Sequence, residues 1–174
     1  MNGEAGTLAD AASPAGNPDF IIAGGQNNGA SSGVVRSVDG GRHWTVASDG
    51  MFNTRVEAVH VVDDVGKHVL VAVQGAIYES LDGADTWKVI NGSQALGTCN
   101  TFKNGTIAGQ PHVLAGCSIG VANAPSGDGR SPLTDWKVIP PGGVQRTYFS
   151  ISDDNGAPNS VIGMCLGRRL WIWP

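Results

Sequence analysis

Ser37-Val38-Asp39-Gly40-Gly41-Arg42-His43-Trp44 returns 43 residues later as Ser80-Leu81-Asp82-Gly83-Ala84-Asp85-Thr86-Trp87. The shared pattern is Ser-x-Asp-x-Gly-x-x-Trp, complete in the first copy and carrying Ala84 in place of Gly in the second. A turn and an aromatic recurring at a period of this length mark a repeat fold. An Asp two residues after a Ser can accept hydrogen bonds from the backbone of its own turn. Gly40, Gly41 and Gly83 supply the positive φ of a tight hairpin. Trp44 and Trp87 each open a following strand and are expected to pack between neighbouring sheets, where a buried indole contributes roughly 3 kcal/mol. The expected role of Ser37, Asp39, Gly41, Trp44, Ser80, Asp82 and Trp87 is therefore structural.

Three further features run in register with this turn. Short apolar strands begin their aliphatic runs at Ile21, Val69, Val113 and Val161, in steps of 48, 44 and 48 residues. Their continuous apolar character predicts strands covered on both faces. Upstream of them, Val56–Asp64 and Thr147–Asp154 alternate and end in acidic turns, with a weaker copy from Thr7. Downstream stand Trp44-Thr45-Val46, Trp87-Lys88-Val89-Ile90 and Trp136-Lys137-Val138-Ile139. Each unit thus reads as four strands, with the Ser/Asp turn between the third and fourth. The units span approximately 7–47, 55–90, 98–139 and 146–174, within a single repeat domain of residues 1–174, and the fourth stops after its third strand. The third unit replaces the turn with an expanded loop from Ala124 to Asp135.

The turn resembles the Asp-box of sialidase-type β-propellers. That resemblance covers nearly the whole chain as a repeat and implies an all-β propeller, or part of one, with about four four-stranded antiparallel blades. The superfamily is broad. It includes sialidases, xyloglucan-type glycoside hydrolases, sortilin-like receptors and photosystem assembly factors. The resemblance therefore implies a fold and does not choose a function. A blade cannot cover both of its faces alone, which leaves three ways to close the arc: a four-bladed ring, a pair of chains, or completion by another protein.

Composition narrows the classes. The chain has 174 residues, 26 Gly, 15% charged residues and a net charge of −4. High Gly with low charge favours many short strands and turns. Scattered basic residues make no nucleic-acid surface, and no apolar run approaches the ~20 residues of a membrane span. The N-terminal Met1–Gly6 lacks the basic and apolar regions of a signal peptide; an extracellular location is expected only if the chain is a mature form or a fragment. Cys99 and Cys117 fall on neighbouring strands, so a disulfide is open to them, as are free thiols for these two and Cys165.

The residues that could carry chemistry do not converge. Asp63-Asp64 and Asp153-Asp154 could pair as acid and base, but they occupy equivalent turns, where Asp is a good turn residue. Tyr78 and Tyr148 are the only tyrosines, and Tyr78 lies beside the box. Arg36, Arg55 and Arg146 form no arginine motif and read as surface residues. The four His show no metal spacing, and Gly24–Gly29 lacks a phosphate-loop Lys. No catalytic residue, cofactor or metal site is expected. Trp171 and Trp173 share a strand face and are candidates for contact with a partner or a sugar ring. The expected function is a non-catalytic binding or scaffold module acting on a protein or glycan, completed by self-association or by another chain. The alternative is a fragment or degenerate relative of a sialidase- or xyloglucanase-like hydrolase.

Overall fold

The structure, a computed structural model, describes residues 7–26, 33–51, 55–139, 148–153, 161–165 and 170–173, with side chains for 8–26, 33–51 and 55–138. Four antiparallel sheets follow one another along the chain. The first holds β1 (Thr7–Ala12), β2 (Ile21–Gln26), β3 (Val34–Ser37) and β4 (Thr45–Val46). The second holds β5 (Val56–Val61), β6 (Val69–Val73), β7 (Ala76–Ser80) and β8 (Lys88–Val89). The third holds β9 (Cys99–Ile107), β10 (Gln110–Cys117), β11 (Gly120–Pro125) and β12 (Lys137–Ile139). The fourth has three strands, β13 (Tyr148–Asp153), β14 (Val161–Cys165) and β15 (Leu170–Trp173). In every sheet the strands lie in chain order, and the first strands pack in the sequence β1, β5, β9, β13. This is the architecture of a β-propeller or partial propeller. Among the described residues no helix is long and apolar enough to cross a membrane.

A register shift recurs at one place in all four sheets, at the start of the first strand: Leu8/Asp10, Val56/Ala58, Gly116/Cys117 opposite Cys99, and Tyr148/Ser150. Such a bulge adds twist to a strand, and its repetition makes Leu8, Val56, Cys99 and Tyr148 equivalent positions. Cys99 and Cys117 form a disulfide that closes this point in the third sheet.

The core lies between sheets and divides into two seams. Phe20, Ile22, Val34 and Ala47 of the first unit meet Val56, Val59, Val69, Val71, Tyr78 and Trp87 of the second. Ala58, Leu70, Ala72, Ile77 and Ile90 of the second meet Cys99, Phe102, Val113, Ala115 and Leu133 of the third. Every residue of β6 is buried because alternate side chains serve opposite seams. The apolar run Val69–Val73 follows from that geometry.

The first seam sets the size of Gly24. A Cβ built there would stand 2.2 Å from Val56 Cγ1. Gly24→Ala should destabilise the fold by about 1–3 kcal/mol through overpacking, read as a shift in urea midpoint. The equivalent Ala72 of the second sheet is fully buried as it stands.

Candidate functional site

The Ser/Asp turns are closed hydrogen-bond circuits. Ser37 Oγ donates to Asp39 Oδ1 at 2.8 Å and accepts from the Gly41 N–H at 2.9 Å. Asp39 Oδ1 also accepts the His43 N–H at 2.9 Å, and Oδ2 meets His43 Nδ1 at 2.5 Å. The second turn repeats the arrangement. Ser80 Oγ donates to Asp82 Oδ1 at 2.7 Å and accepts from the Ala84 N–H at 2.8 Å. Asp82 then takes the Asp85 and Thr86 N–H groups and the Thr86 hydroxyl. Ala84 holds φ 70°, matching the 88° of Gly41, a conformation that disfavours a residue with a Cβ.

These donors fix the charge of both acids. The His43 backbone N–H, then the His43 and Ser37 side chains, hold the Asp39 carboxyl well below the usual carboxylate range. Partial burial raises the Asp82 carboxyl, but bonds from Thr86, Ser80 and Asp85 outweigh it and bring the value down to about 2. A carboxylate with a depressed folded-state value stabilises the fold above its unfolded value, near 3.8, and loses that contribution as pH falls through the folded value. Wild type should therefore be more stable than Asp82→Asn at pH 6, by roughly 1 kcal/mol of lost hydrogen bonding. The gap should close between about pH 4 and pH 2, in urea melts of both proteins across that range.

The turns are also tied down within their own sheets. The Gly40, Gly83 and Ser126 N–H groups donate to Asp19 O, Lys67 O and Pro111 O, binding the segment after each third strand to the segment where the second strand begins. Arg36, read from sequence as a surface residue, instead crosses the first seam. Its guanidinium donates to Gly83 O and pairs with Asp85. Position relative to the box Ser explains this: Arg36 precedes Ser37 as Glu79 precedes Ser80, and Glu79 likewise reaches the next unit. Glu79 Oε1 accepts the Leu133 N–H at 2.7 Å and lies 2.9 Å from His68 Nε2. His68 Nδ1 donates to Gly129 O at 2.9 Å. The expanded loop of the third unit is thus anchored at two points on a buried His–Glu pair. A charged residue directly before Ser37 and before Ser80 was the signal the sequence carried.

Trp44 departs from expectation. Trp87 is 8% exposed and donates its indole N–H to Ala47 O across the first seam at 2.7 Å. Trp44 is 45% exposed and donates to Gly41 O of its own turn. The two occupy the same repeat position; among the described residues Trp87 packs into the first seam and Trp44 does not. Trp136, the third member, is half-buried and its Nε1 has no hydrogen-bond partner among the described residues. By analogy with Trp87 and Ala47, its acceptor would be Ile90 O. That carbonyl already receives the Ser93 N–H, at the start of the short 3-10 helix Ser93–Leu96. Trp136 borders a groove of about 540 Å³ along the outer second seam, with Leu81, Val89, Ile90, Pro132 and Leu133. A smaller cavity of about 310 Å³ lies where Asp63, Asp64, His112, Asp128 and Arg130 converge.

The other candidates fall as follows. Asp63 Oδ1 accepts the Gly66 and Lys67 N–H groups at 2.9 and 3.0 Å. Asn104, part of a formal glycosylation sequon, bridges His60 Nε2 and Val62 O with its side chain. Burial holds His60 below the ordinary imidazole value. Tyr78 is buried in the first seam, and Arg55 pairs with Glu57. Trp171 and Trp173 stand opposite Gly163 and Val161; their side chains, those of Tyr148 and Asp153, and residues Arg146, Asp154 and 27–29 lie outside the described residues.

No family model and no curated protein matches this chain. Solved structures do. An ancestral GH74 enzyme superposes with a TM-score of 0.70 at 16% identity, over 91% of this chain and 22% of that one. YCF48 from Cyanidioschyzon merolae gives 0.63 at 18%, over 97% of this chain and 53% of that one. YCF48 bound to D1 peptide gives 0.51 at 10%, over 96% and 65%. At these identities the likeness is one of fold, and the chain spans about a fifth of the GH74 enzyme and about half of the first YCF48. The chain has a β-propeller fold, whole or partial.

Proposed function

We propose that this chain is a non-catalytic binding or scaffold module of Asp-box propeller type, with a protein as its partner. The observation that carries the reading is where its carboxylates are spent. Asp39, Asp63, Asp82 and Glu79 each accept backbone N–H groups, holding turns or a seam. Acids so engaged are poor proton donors and acceptors for a substrate. The groove beside Trp136 joins apolar side chains, Leu81, Val89, Ile90 and Pro132, to polar ones, Lys88, Asn91 and Thr134, the mixture a peptide-binding surface needs. A bound D1 peptide on a YCF48 structure supports a protein partner by analogy of fold.

The second reading, a fragment or degenerate relative of a glycoside hydrolase with a glycan ligand, is favoured by the likeness to the GH74 enzyme. Indole N–H signals in a nitrogen–proton NMR spectrum separate the two. Titration with a pool of short apolar peptides should shift the Trp136 indole signal, identified by its loss in Trp136→Phe. A shift produced by xyloglucan oligosaccharides and by no peptide would favour the glycan reading. No shift with either would refute the groove as the contact.

A further inference from the structure

We infer, resting on the reading of the Trp136 groove as the binding site, that the buried His68–Glu79 pair is a proton latch on that groove. The pair seats the loop 126–135 while it holds two protons, and lets go of it as pH rises.

His68 is 1% exposed, and both of its ring nitrogens face oxygen. Nδ1 lies 2.9 Å from Gly129 O and Nε2 lies 2.9 Å from Glu79 Oε1. A backbone carbonyl only accepts, and a neutral imidazole has one N–H to give. Two such oxygens at hydrogen-bond distance therefore need two protons. Glu79 Oε1 also accepts the Leu133 N–H at 2.7 Å, and Lys88 stands beside Glu79 in register. Both favour the carboxylate, so the second proton sits on the ring. Imidazolium against carboxylate satisfies both ring nitrogens with charge-assisted bonding on one side.

Removing one proton leaves one N–H for two oxygens. The oxygen not served then faces a nitrogen lone pair in a buried site, which costs free energy. Gly129 belongs to the loop, and Glu79 Oε1 holds Leu133. Whichever oxygen withdraws takes one of the loop's two anchors with it. The seated loop binds more protons than the released one, so seating is favoured as pH falls and lost as pH rises. Pro132, Leu133 and Thr134 form one side of the groove, and Glu79 lines it too. The groove keeps that wall only while the latch is closed.

Other charges face the pair without replacing it. A Cβ at Gly129 would stand 3.4 Å from Asp63 Cβ, and Asp128 and Arg130 flank that glycine. Asp64 lies beside them, and Asp82 and Asp135 line the groove beyond Glu79. Carboxylates, lysine and arginine keep their charge between pH 5 and 8, where imidazoles change theirs. That leaves His60 and His112. Burial first, with the His68 charge adding, holds His60 below the ordinary imidazole value against the Asn104 bond and Asp10. His112 is half-buried with Nδ1 on Gln110 O. Among the described residues neither bonds to Gly129, Leu133 or Glu79.

The test is nitrogen–proton NMR of the chain, free of peptide, from pH 5.5 to 8.5. It follows the histidine rings and the loop amides, each assigned through the backbone. At pH 5.5 both His68 ring nitrogens should carry protons. As pH rises the ring should lose one, and the Gly129 and Leu133 amide signals should move with the same midpoint. That movement should vanish in His68→Gln and persist in the control His112→Gln. A His68 ring neutral throughout, or loop amides that move with another histidine, would overturn the inference; wild type alone decides this even if His68→Gln fails to fold. The peptide titration at Trp136, repeated at both ends of the pH range, should give a dissociation constant at least threefold larger at pH 8.5. Equal affinity at both would overturn the inference and leave the proposed function standing. A latch that titrates while no peptide binds at either pH would do the reverse.

Discussion

Trp87→Ala should lower stability by about 3–5 kcal/mol, while Trp44→Ala should cost under about 1 kcal/mol. The sequence alone assigns both residues one role. The structure separates them: Trp87 is 8% exposed and bonds to Ala47 O across the first seam, and Trp44 is 45% exposed. Truncating Trp87 removes a large buried ring from the core cluster it shares with Phe20, Val34 and Ala84, and leaves the Ala47 carbonyl without the indole N–H. Truncating Trp44 removes a partly wet surface and a bond within one turn. Urea denaturation of the two variants at neutral pH checks the difference. Equal losses would mean that the first sheet is covered in the isolated chain.

Glu79→Ala should cost about 3 kcal/mol. The buried carboxylate serves two partners at once, the Leu133 N–H and His68. Removing one member of a buried polar pair leaves the other without compensation, and here a backbone donor is orphaned as well. The effect should be local before it is global. The loop from Ser126 to Asp135 is held by Glu79 and by the His68 bond to Gly129 O, so its amides should lose hydrogen-exchange protection first. Protection lost evenly over the whole chain would contradict the anchoring of this loop on the second sheet.

How much of this was legible beforehand depends on the range of the interaction. The Ser37 and Ser80 turns are made from bonds within five residues, so composition and spacing carry them. The apolar run at Val69–Val73 signals a strand buried on both faces, and the register of four such runs gives the sheets. Contacts between sheets are different. Arg36 meets Gly83 and Asp85, and Glu79 meets Leu133, across 47 and 54 residues. Only the shared place before the box Ser links them, and they carry opposite charges. Trp136 illustrates the same limit. Its motif Trp-Lys-Val-Ile matches Trp87-Lys88-Val89-Ile90, yet among the described residues its indole has no hydrogen-bond partner where that of Trp87 reaches Ala47 O. Exposure of Leu8 and Val46 is likewise a fact about neighbours, which no stretch of β1 or β4 records.

The central claim is that the acids of this propeller build the fold and do not turn over a substrate. It is tested most directly by assaying one set of samples twice. Wild type, Asp63→Asn and Asp82→Asn would each be tested for cleavage of xyloglucan oligosaccharides and sialosides, and for urea midpoint. The account predicts no cleavage above a protein-free blank for any of the three and lower midpoints for both variants. Cleavage by wild type that disappears in a variant of unchanged midpoint would contradict it.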